Sequence, residues 1–381
     1  MTAVETAETP DLPGSPELPD AVEVDATIKL ITDNAQRVFL WNYERGRDQL
    51  VTLYNKAMGS QWNSVTDLDW STDVDPERLI NGMPQQNAVV VIARAAAEIP
   101  GSPFASWSDK EFTQLGIESM KAQLSQFVHG EQGAMMVSAK IVETVPWIDA
   151  KYYAATQTMD EARHTEVFAK YLDTKLGEQY PMSPPLEAQI MALLEDSRWD
   201  IAYLGMQIVI ESLALAAFGS MLRATDEPLL KKLLRYVMSD EARHVAFGVL
   251  SLSEYYEGLT DAELKERQEF LAENTLRSRA RGAFPEIWER MGVDLATAAP
   301  FLIEGAQKSG SGLMAGFYGG FFAKLVPNVR KLGLLDANDG YLRNLWGEAG
   351  LLQYEFADDT ASDYEDYDEV AKDRAAAAAA N

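Results

Sequence analysis

The chain contains the pentapeptide Asp-Glu-Ala-Arg-His twice, at positions 80 residues apart, and these copies use two of the three histidines in 381 residues. In an α-helix, residues three apart lie on the same face. Glu161 with His164, and Glu241 with His244, therefore each form a pair of side chains that can hold one metal ion. A chain with this repeat is expected to fold with two related helices, each carrying one ligand pair.

A further glutamate lies 30 residues before each motif glutamate, Glu131 before the first and Glu211 before the second. Both have apolar neighbours, in the stretches FVHGEQGAMMV and IVIESLALAAF. An isolated ionised carboxylate in such surroundings costs several kcal/mol, so we expect positive charge beside each of them.

The helical pattern places these residues on four long helices. Apolar residues at three- and four-residue spacing predict helices over 108–145, 147–176, 186–222 and a stretch that starts near Pro228. Ser108 and Glu111 form a capping box at the start of the first helix, and Pro228 suits the first turn of the fourth. Shorter helices are expected from Thr260 to about Leu352.

The turns between these helices give an independent test of the pairing. Pro146 lies 15 residues from Glu131 and from Glu161, and Asp226 lies 15 residues from both glutamates of the second pair. At about 1.5 Å per residue, the carboxylates of each hairpin face one another roughly 22 Å from the turn. The two hairpins are therefore expected to meet at one site.

The residue types available as ligands limit which metal ions the site can hold. The chain has no cysteine, which excludes disulfides, iron–sulfur clusters, thiolate zinc sites and cysteine nucleophiles. Carboxylates and imidazoles fit two divalent ions, most naturally iron, with manganese as the other candidate. The predicted ligands are Glu131, Glu161, His164, Glu211, Glu241 and His244.

The motif also repeats an acid and a base, Asp160 with Arg163 and Asp240 with Arg243. As surface ion pairs these residues would contribute little to stability. Beside buried ligands, we predict instead that each aspartate accepts a hydrogen bond from the ring N–H of the histidine in the other copy. Each arginine would then anchor its own aspartate.

The pattern Glu-x28-Asp-Glu-Ala-Arg-His, present twice between Glu131 and His244, resembles that of the ferritin-like non-haem di-iron oxygenases. It is most similar to p-aminobenzoate N-oxygenase-type proteins and to the hydroxylase subunits of bacterial multicomponent monooxygenases. The aromatic-rich stretch QWNSVTDLDW from Gln61 to Trp70 is also similar to a segment of such proteins. The resemblance implies an all-α fold, a ferritin-like four-helix bundle over about 108–256 with a carboxylate-bridged dimetal site and flanking helices.

This sequence departs at two positions from the patterns of proteins that it resembles. The N-oxygenases use an extra histidine ligand, and the remaining histidine here, His129, lies on roughly the opposite helix face from Glu131, so we interpret it as a non-ligand. The radical-generating subunit of ribonucleotide reductase, also similar in fold, places a tyrosine one turn after the first motif histidine. Phe168 occupies that position here, so a stable tyrosyl radical is not expected there.

The resemblance implies an oxidoreductase that activates O2 at two iron ions to oxygenate or oxidise a small organic substrate, for example an aromatic or an amine. A reductase or ferredoxin would supply electrons, and a homodimer is expected. The alternatives are a hydroxylase subunit of a multicomponent monooxygenase, a ferritin-like protein of iron oxidation or storage, and a purely structural bundle. Residues one turn from the ligands are predicted to line the substrate pocket: Phe127, Ala134, Met135, Phe168, Ala214, Leu215 and Phe247.

Charge and composition set the remaining expectations. A net charge of −26 repels phosphate backbones and anionic lipids, so neither nucleic acid nor a membrane is an expected partner. We find no export signal and no unbroken run of about eighteen apolar residues, which favours the cytoplasm. Composition predicts a disordered arm over 1–24, one helical domain over 25–352 and a disordered acidic tail over 353–381.

Overall fold

The computed structural model describes residues 31, 33–83, 87–278, 284–310, 312–361 and 364–380. Within these residues all regular secondary structure is helical, which confirms the predicted all-α fold. Asp33–Asn381 group into one compact unit. The predicted disordered arm over 1–24 lies outside the described residues.

Fifteen α-helices are described, and two π-helical segments interrupt or extend them. The helices before the bundle are α1 Asp48–Gly59, α2 Pro76–Asn81 and α3 Ala88–Ala97. The bundle consists of α4 Asp109–Thr144, α5 Ile148–Tyr171, α6 Pro184–Glu195, α7 Trp199–Tyr203, α8 Glu211–Ala224 and α9 Pro228–Tyr256. The helices after it are α10 Asp261–Ser278, α11 Pro285–Arg290, α12 Leu295–Lys308, α13 Gly312–Lys331, α14 Ala337–Glu348 and α15 Glu369–Ala380.

The first hairpin of the bundle follows the sequence pattern closely. The capping box at Ser108 and Glu111 is present, with the Glu111 carboxylate accepting from the Ser108 N–H at 2.8 Å. Helix α4 ends where Val145 turns to extended backbone (ψ 139°), because the residue before a proline avoids the helical region. Helix α5 then runs back along α4 and continues into the π-helical segment Leu172–Leu176.

The sequence predicts one continuous helix over 186–222, and this prediction is wrong. The structure has a break between α6, which ends at Glu195, and α7, which begins at Trp199. The backbone is extended at Asp196 and Arg198, with ψ of 127° and 114°. The buried Lys140 ammonium donates to the carbonyls of Leu194 and Asp196, each at 2.6 Å, and so satisfies acceptors that a continuing helix would have used. A side chain from α4 thus stabilises the break between α6 and α7.

A continuous helix from Trp199 to Ala224 joins α7 to α8 through the π-helical segment Leu204–Ile210. By length and composition it could cross a membrane, with a mean hydropathy of 1.8 over its most apolar window, a feature that the sequence interpretation missed. However, 94% of that window is buried inside the protein, so packing at the centre of the bundle accounts for its apolar character. Glu227 caps the next helix by accepting from the N–H groups of Leu229 and Leu230.

The acidic tail beyond residue 353 differs from the disordered segment that its composition indicates. Within it, the structure describes a short 3-10 turn, Tyr364–Tyr367, followed by α15. Val370 is 2% exposed and packs into the hydrophobic cluster that also contains Trp62 and Tyr236. One apolar anchor, together with hydrogen bonds that acidic side chains of the tail accept from Ser60 and Tyr236, fixes a segment that looks fully solvated by composition.

Candidate metal centre

The bundle brings all six predicted ligands into one buried cluster. Helix α4 contributes a glutamate, α5 a glutamate and a histidine, α8 a glutamate, and α9 a glutamate and a histidine. Each of the six is at most 5% exposed: Glu131, Glu161, His164, Glu211, Glu241 and His244. The turns midway between the glutamates thus place the two glutamates of each hairpin at one level of the bundle.

The cluster divides into two overlapping ligand sets. One set consists of Glu131, Glu161, His164 and Glu241, and the other of Glu161, Glu211, Glu241 and His244. Within each set the donor atoms lie within 4.8 Å of one another. Glu161 and Glu241 belong to both sets, so each of these carboxylates would be available to both ions if two were bound.

The first ligand set surrounds the Nδ1 atom of His164. This nitrogen lies 3.4 Å from Oε2 of Glu131, 3.4 Å from Oε2 of Glu161 and 3.3 Å from Oε1 of Glu241. One imidazole nitrogen therefore faces three carboxylates from three different helices.

The second set surrounds Nδ1 of His244 in the same way. This atom lies 2.7 Å from Oε2 of Glu241, 3.2 Å from Oε1 of Glu161 and 3.4 Å from Oε1 of Glu211. The internal repeat of the sequence is thus an approximate twofold repeat of ligand geometry.

Several donor atoms of the cluster have no hydrogen-bond partner although they are fully buried. These atoms are Nδ1 of His164, Oε2 of Glu161 and Oε1 of Glu241. A buried polar atom without a partner costs about 1–3 kcal/mol. Two metal ions would satisfy these atoms, and carboxylate oxygen with imidazole nitrogen is a donor set that suits iron and manganese.

The charges of the cluster are coupled. Burial and the neighbouring charge of Glu241 raise the pKa of Glu131 well above its usual range. The same two causes raise the pKa of Glu211. Burial also acts to raise the pKa of Glu241, but His164 and His244 outweigh it and hold that pKa well below the usual range. The raised pKa values of Glu131 and Glu211 favour their protonated forms in the metal-free protein, and divalent ions would take the place of those protons.

Asp240 makes the predicted contact with the histidine of the other motif copy. Its Oδ2 lies 3.0 Å from Nε2 of His164 and also accepts from the Trp62 indole N–H at 2.8 Å and from Arg163 at 3.0 Å. Its other oxygen pairs with Arg243. Burial acts to raise the pKa of Asp240, but the arginine charges and the histidine hydrogen bond hold it far below the usual range.

Asp160 makes the matching contact with fewer partners. Its Oδ2 lies 3.4 Å from Nε2 of His244, and its Oδ1 accepts from Arg163 at 2.5 Å and from the Gln61 amide at 2.9 Å. Arg163 thus anchors its own aspartate, as predicted, and additionally reaches Asp240. Arg163 also lies 4.6 Å from the Trp62 ring centroid.

Two glutamines beside the ligands were not among the predicted residues. The Gln157 amide donates to Oε1 of Glu161 at 3.0 Å and to Oε1 of Glu211 at 2.9 Å, and the Gln207 amide donates to Gln157 at 2.8 Å. Gln157 lies one turn before Glu161 on the same helix face, a spacing that could have identified it. Gln207 lies in the π-helical segment, whose geometry no sequence pattern indicated.

The third histidine lies outside both ligand sets. Nε2 of His129 contacts the carbonyl oxygen of Tyr180 at 2.9 Å. Its contact is therefore with the backbone of the connection that follows α5.

The residues predicted to line a substrate pocket divide between two places. Phe127 and Phe168 pack against Phe218, with centroid distances of 4.8 and 5.4 Å. Phe247 instead packs against Tyr153, at 4.4 Å, and Tyr203, at 5.0 Å. Of the others, Ala134 and Leu215 are buried, and Met135 and Ala214 are half-buried.

A cleft of about 560 Å³ is lined by different residues: Glu77, Asn81, Arg94, Asp109, Lys110 and Thr113. None of these residues is a ligand or a predicted pocket residue. This cleft therefore lies apart from the seven residues predicted to line a substrate pocket. The lining role of the seven predicted residues stays a prediction.

Comparison with known proteins finds no matching family model and no matching curated protein. Among solved structures, the chain is similar to an R2-like ligand-binding oxidase with an aerobically reconstituted manganese/iron cofactor, at 15% identity over 81% of this chain and 93% of that chain, with a TM-score of 0.41. It is also similar to an R2-like ligand-binding oxidase after photoconversion, at 15% identity over 81% and 93%, with a TM-score of 0.40. A tyrosine-to-phenylalanine variant of such an oxidase matches at 16% identity over 71% and 90%, with a TM-score of 0.43. These values are too low to transfer an activity to this chain.

Proposed function

We propose that the chain is a dinuclear metal oxidoreductase that uses O2 to oxygenate or oxidise a small organic substrate. The observation that carries this proposal is the pair of overlapping ligand sets, which share Glu161 and Glu241 and contain buried donor atoms without partners. Two iron ions, or one manganese and one iron, fit this donor set. When bound, such a pair supplies the reduction of O2, which the side chains here cannot perform.

The protein side chains would fix the orientation of the ligands. Because Nε2 of His164 faces Asp240 and Nε2 of His244 faces Asp160, each ring is held with its Nδ1 atom towards the carboxylates. A proton on each Nε2 leaves the Nδ1 lone pair free to bind a metal ion. The aspartates thus determine which nitrogen acts as the ligand.

The electron balance of the proposed reaction calls for a donor. Full reduction of O2 takes four electrons, and insertion of one oxygen atom into a substrate supplies only two of them. We therefore propose that a reductase or ferredoxin provides the other two, an arrangement that a hydroxylase subunit of a multicomponent monooxygenase would share. The ordered helices outside the bundle, α1–α3 and α10–α15, favour an enzyme that encloses an organic substrate over a protein of iron storage.

Metal analysis tests the dinuclear site. After anaerobic loading with ferrous ions and removal of excess, the protein is expected to retain about two irons per chain. The His129→Ala variant, which removes the histidine outside both ligand sets, should retain the same amount, whereas His244→Ala should lose at least one ion. One iron or none in the unaltered protein would refute the dinuclear site.

Exposure of the loaded protein to O2 with candidate substrates tests the reaction. We expect Glu161→Ala to abolish O2-dependent product formation while the helical circular dichroism is kept. Full activity in that variant would refute the assignment. Rapid O2 consumption with ferric mineral as the sole product would instead favour iron oxidation and storage.

A further inference from the structure

We propose that the C-terminal segment from Tyr364 to Arg374, here called the clasp, is a working part of the metal centre. The clasp fixes the loop whose side chains donate hydrogen bonds to the two aspartates beside the histidine ligands, and it fixes the turn of α9 that carries one of these aspartates. Clasp residues that contact this loop or this helix turn would therefore tune metal binding although none of them is a ligand. The inference rests on the proposed metal centre, but the positioning itself is a property of the metal-free protein.

The clasp holds the backbone of the loop after α1. The Arg374 guanidinium donates to the carbonyl oxygen of Gly59 at 2.7 Å and to that of Gln61. The Asp368 carboxylate accepts from the Ser60 hydroxyl at 2.5 Å, and both of these side chains are buried. Three consecutive residues, the last of α1 and the first two of the loop, are thus fixed by two clasp side chains.

The same loop reaches the metal centre. The Trp62 indole N–H donates to Asp240 at 2.8 Å, and the Gln61 amide donates to Asp160 at 2.9 Å. The Gln61 oxygen in turn accepts from Arg163 at 2.8 Å. Displacement of the loop would remove one hydrogen bond from each aspartate.

The clasp also holds α9 at the residue directly before Asp240. The Ser239 hydroxyl donates to the carbonyl oxygen of Tyr367 at 2.5 Å and accepts from the Glu369 N–H at 3.1 Å. One turn earlier, the Tyr236 hydroxyl donates to Asp373 at 2.9 Å. Asp240 is therefore supported from the clasp through its own helix as well as through the loop.

Apolar packing joins these two routes. Val370 of the clasp lies in one buried cluster with Trp62 and Tyr236, and the rings of Trp62 and Tyr236 meet edge to face at 5.4 Å. Because the indole packs against Tyr236 of α9, in the cluster that also contains Val370, its N–H has little freedom to leave Asp240. The clasp thus positions a donor to Asp240, the carboxylate that itself contacts the ligand His164.

The expected loss of metal affinity depends on how many contacts separate the clasp from the ligands. Loss of a group that directly orients a ligand lowers metal affinity by about 10- to 100-fold. The clasp acts through two further contacts, from clasp to loop and from loop to aspartate, so we expect a smaller loss of about threefold to tenfold. The loss should concern affinity and leave the number of ions bound at saturation unchanged.

Hydrogen exchange of the metal-free full-length protein tests the positioning step. Arg374→Gln should speed amide exchange in residues 59–63. The matched control is Lys372→Gln, which removes the same charge from the same helix, because Lys372 contacts Glu369 and Asp366 but not the loop. Equal exchange of this loop in both variants would overturn the proposal.

Ferrous ion affinity, measured anaerobically by competition with a chromogenic chelator, tests the coupling to the metal centre. Arg374→Gln should bind ferrous ion about three to ten times more weakly. Arg374→Lys should recover part of the loss, and Lys372→Gln should match the unaltered protein. If the unaltered protein binds two ions and Arg374→Gln binds them equally well, the clasp proposal alone is refuted. If the unaltered protein binds none, the dinuclear site and the coupling fail together.

Discussion

The two halves of the metal centre share their ligands but not their surroundings. Asp240, which faces His164, accepts from an indole N–H and pairs with both motif arginines. Asp160, which faces His244, has one arginine and one glutamine amide as its other partners, and its histidine contact is longer, 3.4 against 3.0 Å. The internal repeat thus preserves the donors while the rest of the fold makes the two positions inequivalent.

The helices that carry the unshared glutamates differ as well. Glu131 lies within the regular helix α4, whereas Glu211 directly follows the π-helical segment Leu204–Ile210 and accepts from the Gln157 amide. A wider turn beside a ligand re-aims the side chains that follow it. We therefore expect two ions that bind with different affinities, each sensitive to its own set of substitutions.

The largest expected change in the number of bound ions comes from substitution of a glutamate that both ligand sets share. Glu241→Ala removes a carboxylate that belongs to both ligand sets, so metal analysis should find the loss of both ions. Glu131→Ala removes a ligand of one set and should leave about one ion per chain. A Glu241→Ala protein that keeps its fold and still retains one tightly bound ion would show that this carboxylate does not bridge.

The next largest effect on metal affinity is expected from substitution of Asp240, and a smaller one from substitution of Asp160. Asp240→Asn should lower the affinity of the ion beside His164 by about 10- to 100-fold, and Asp160→Asn should have a smaller effect on the other ion. Asp240→Asn also leaves the buried Arg163 and Arg243 with less compensation, at a cost of up to about 3–5 kcal/mol in the free energy of unfolding. Stepwise ferrous titration and urea unfolding of the two variants measure both differences. Equal effects of the two substitutions would show that the two halves are equivalent.

The sequence predicted the repeated part of the centre and missed the unrepeated part. Ligand positions followed from helix periodicity and from turns at Pro146 and Asp226, which are local features. The donor Trp62 could not be assigned to Asp240, because its contact spans 178 residues and depends on how α1 packs. The break at Asp196 depends on Lys140, more than 50 residues away, which no local pattern reports.

Composition misled in the same way at the C-terminus. The tail is rich in acids and alanine, so it resembles a solvated segment when its residues are counted. Its order depends on a few specific contacts, such as Val370 in the hydrophobic cluster and Asp373 with Tyr236. Counting residues cannot detect contacts that form only when the bundle supplies the partners.

The smallest expected effect concerns one position at which the two motif copies differ. Gln157 lies one turn before Glu161, and the equivalent residue before Glu241 is Val237. Gln157→Leu gives the first copy an apolar residue there too, and it removes the hydrogen bonds to Glu161 and Glu211.

Because Gln157 contacts Glu211 but not Glu131, the ion of the His244 half should bind more weakly by a few-fold, while the other ion changes less. The lost acceptor for the Gln207 amide should also cost about 1–3 kcal/mol in the free energy of unfolding. Val237→Leu, at the equivalent position of the other copy, is the matched control. Its packing change should alter the free energy of unfolding, but it should leave the affinity for both ions unchanged. If Gln157→Leu weakens both ions equally, the glutamine supports the shared carboxylate Glu161 alone, and the second half of the centre owes its difference to the π-helical segment instead.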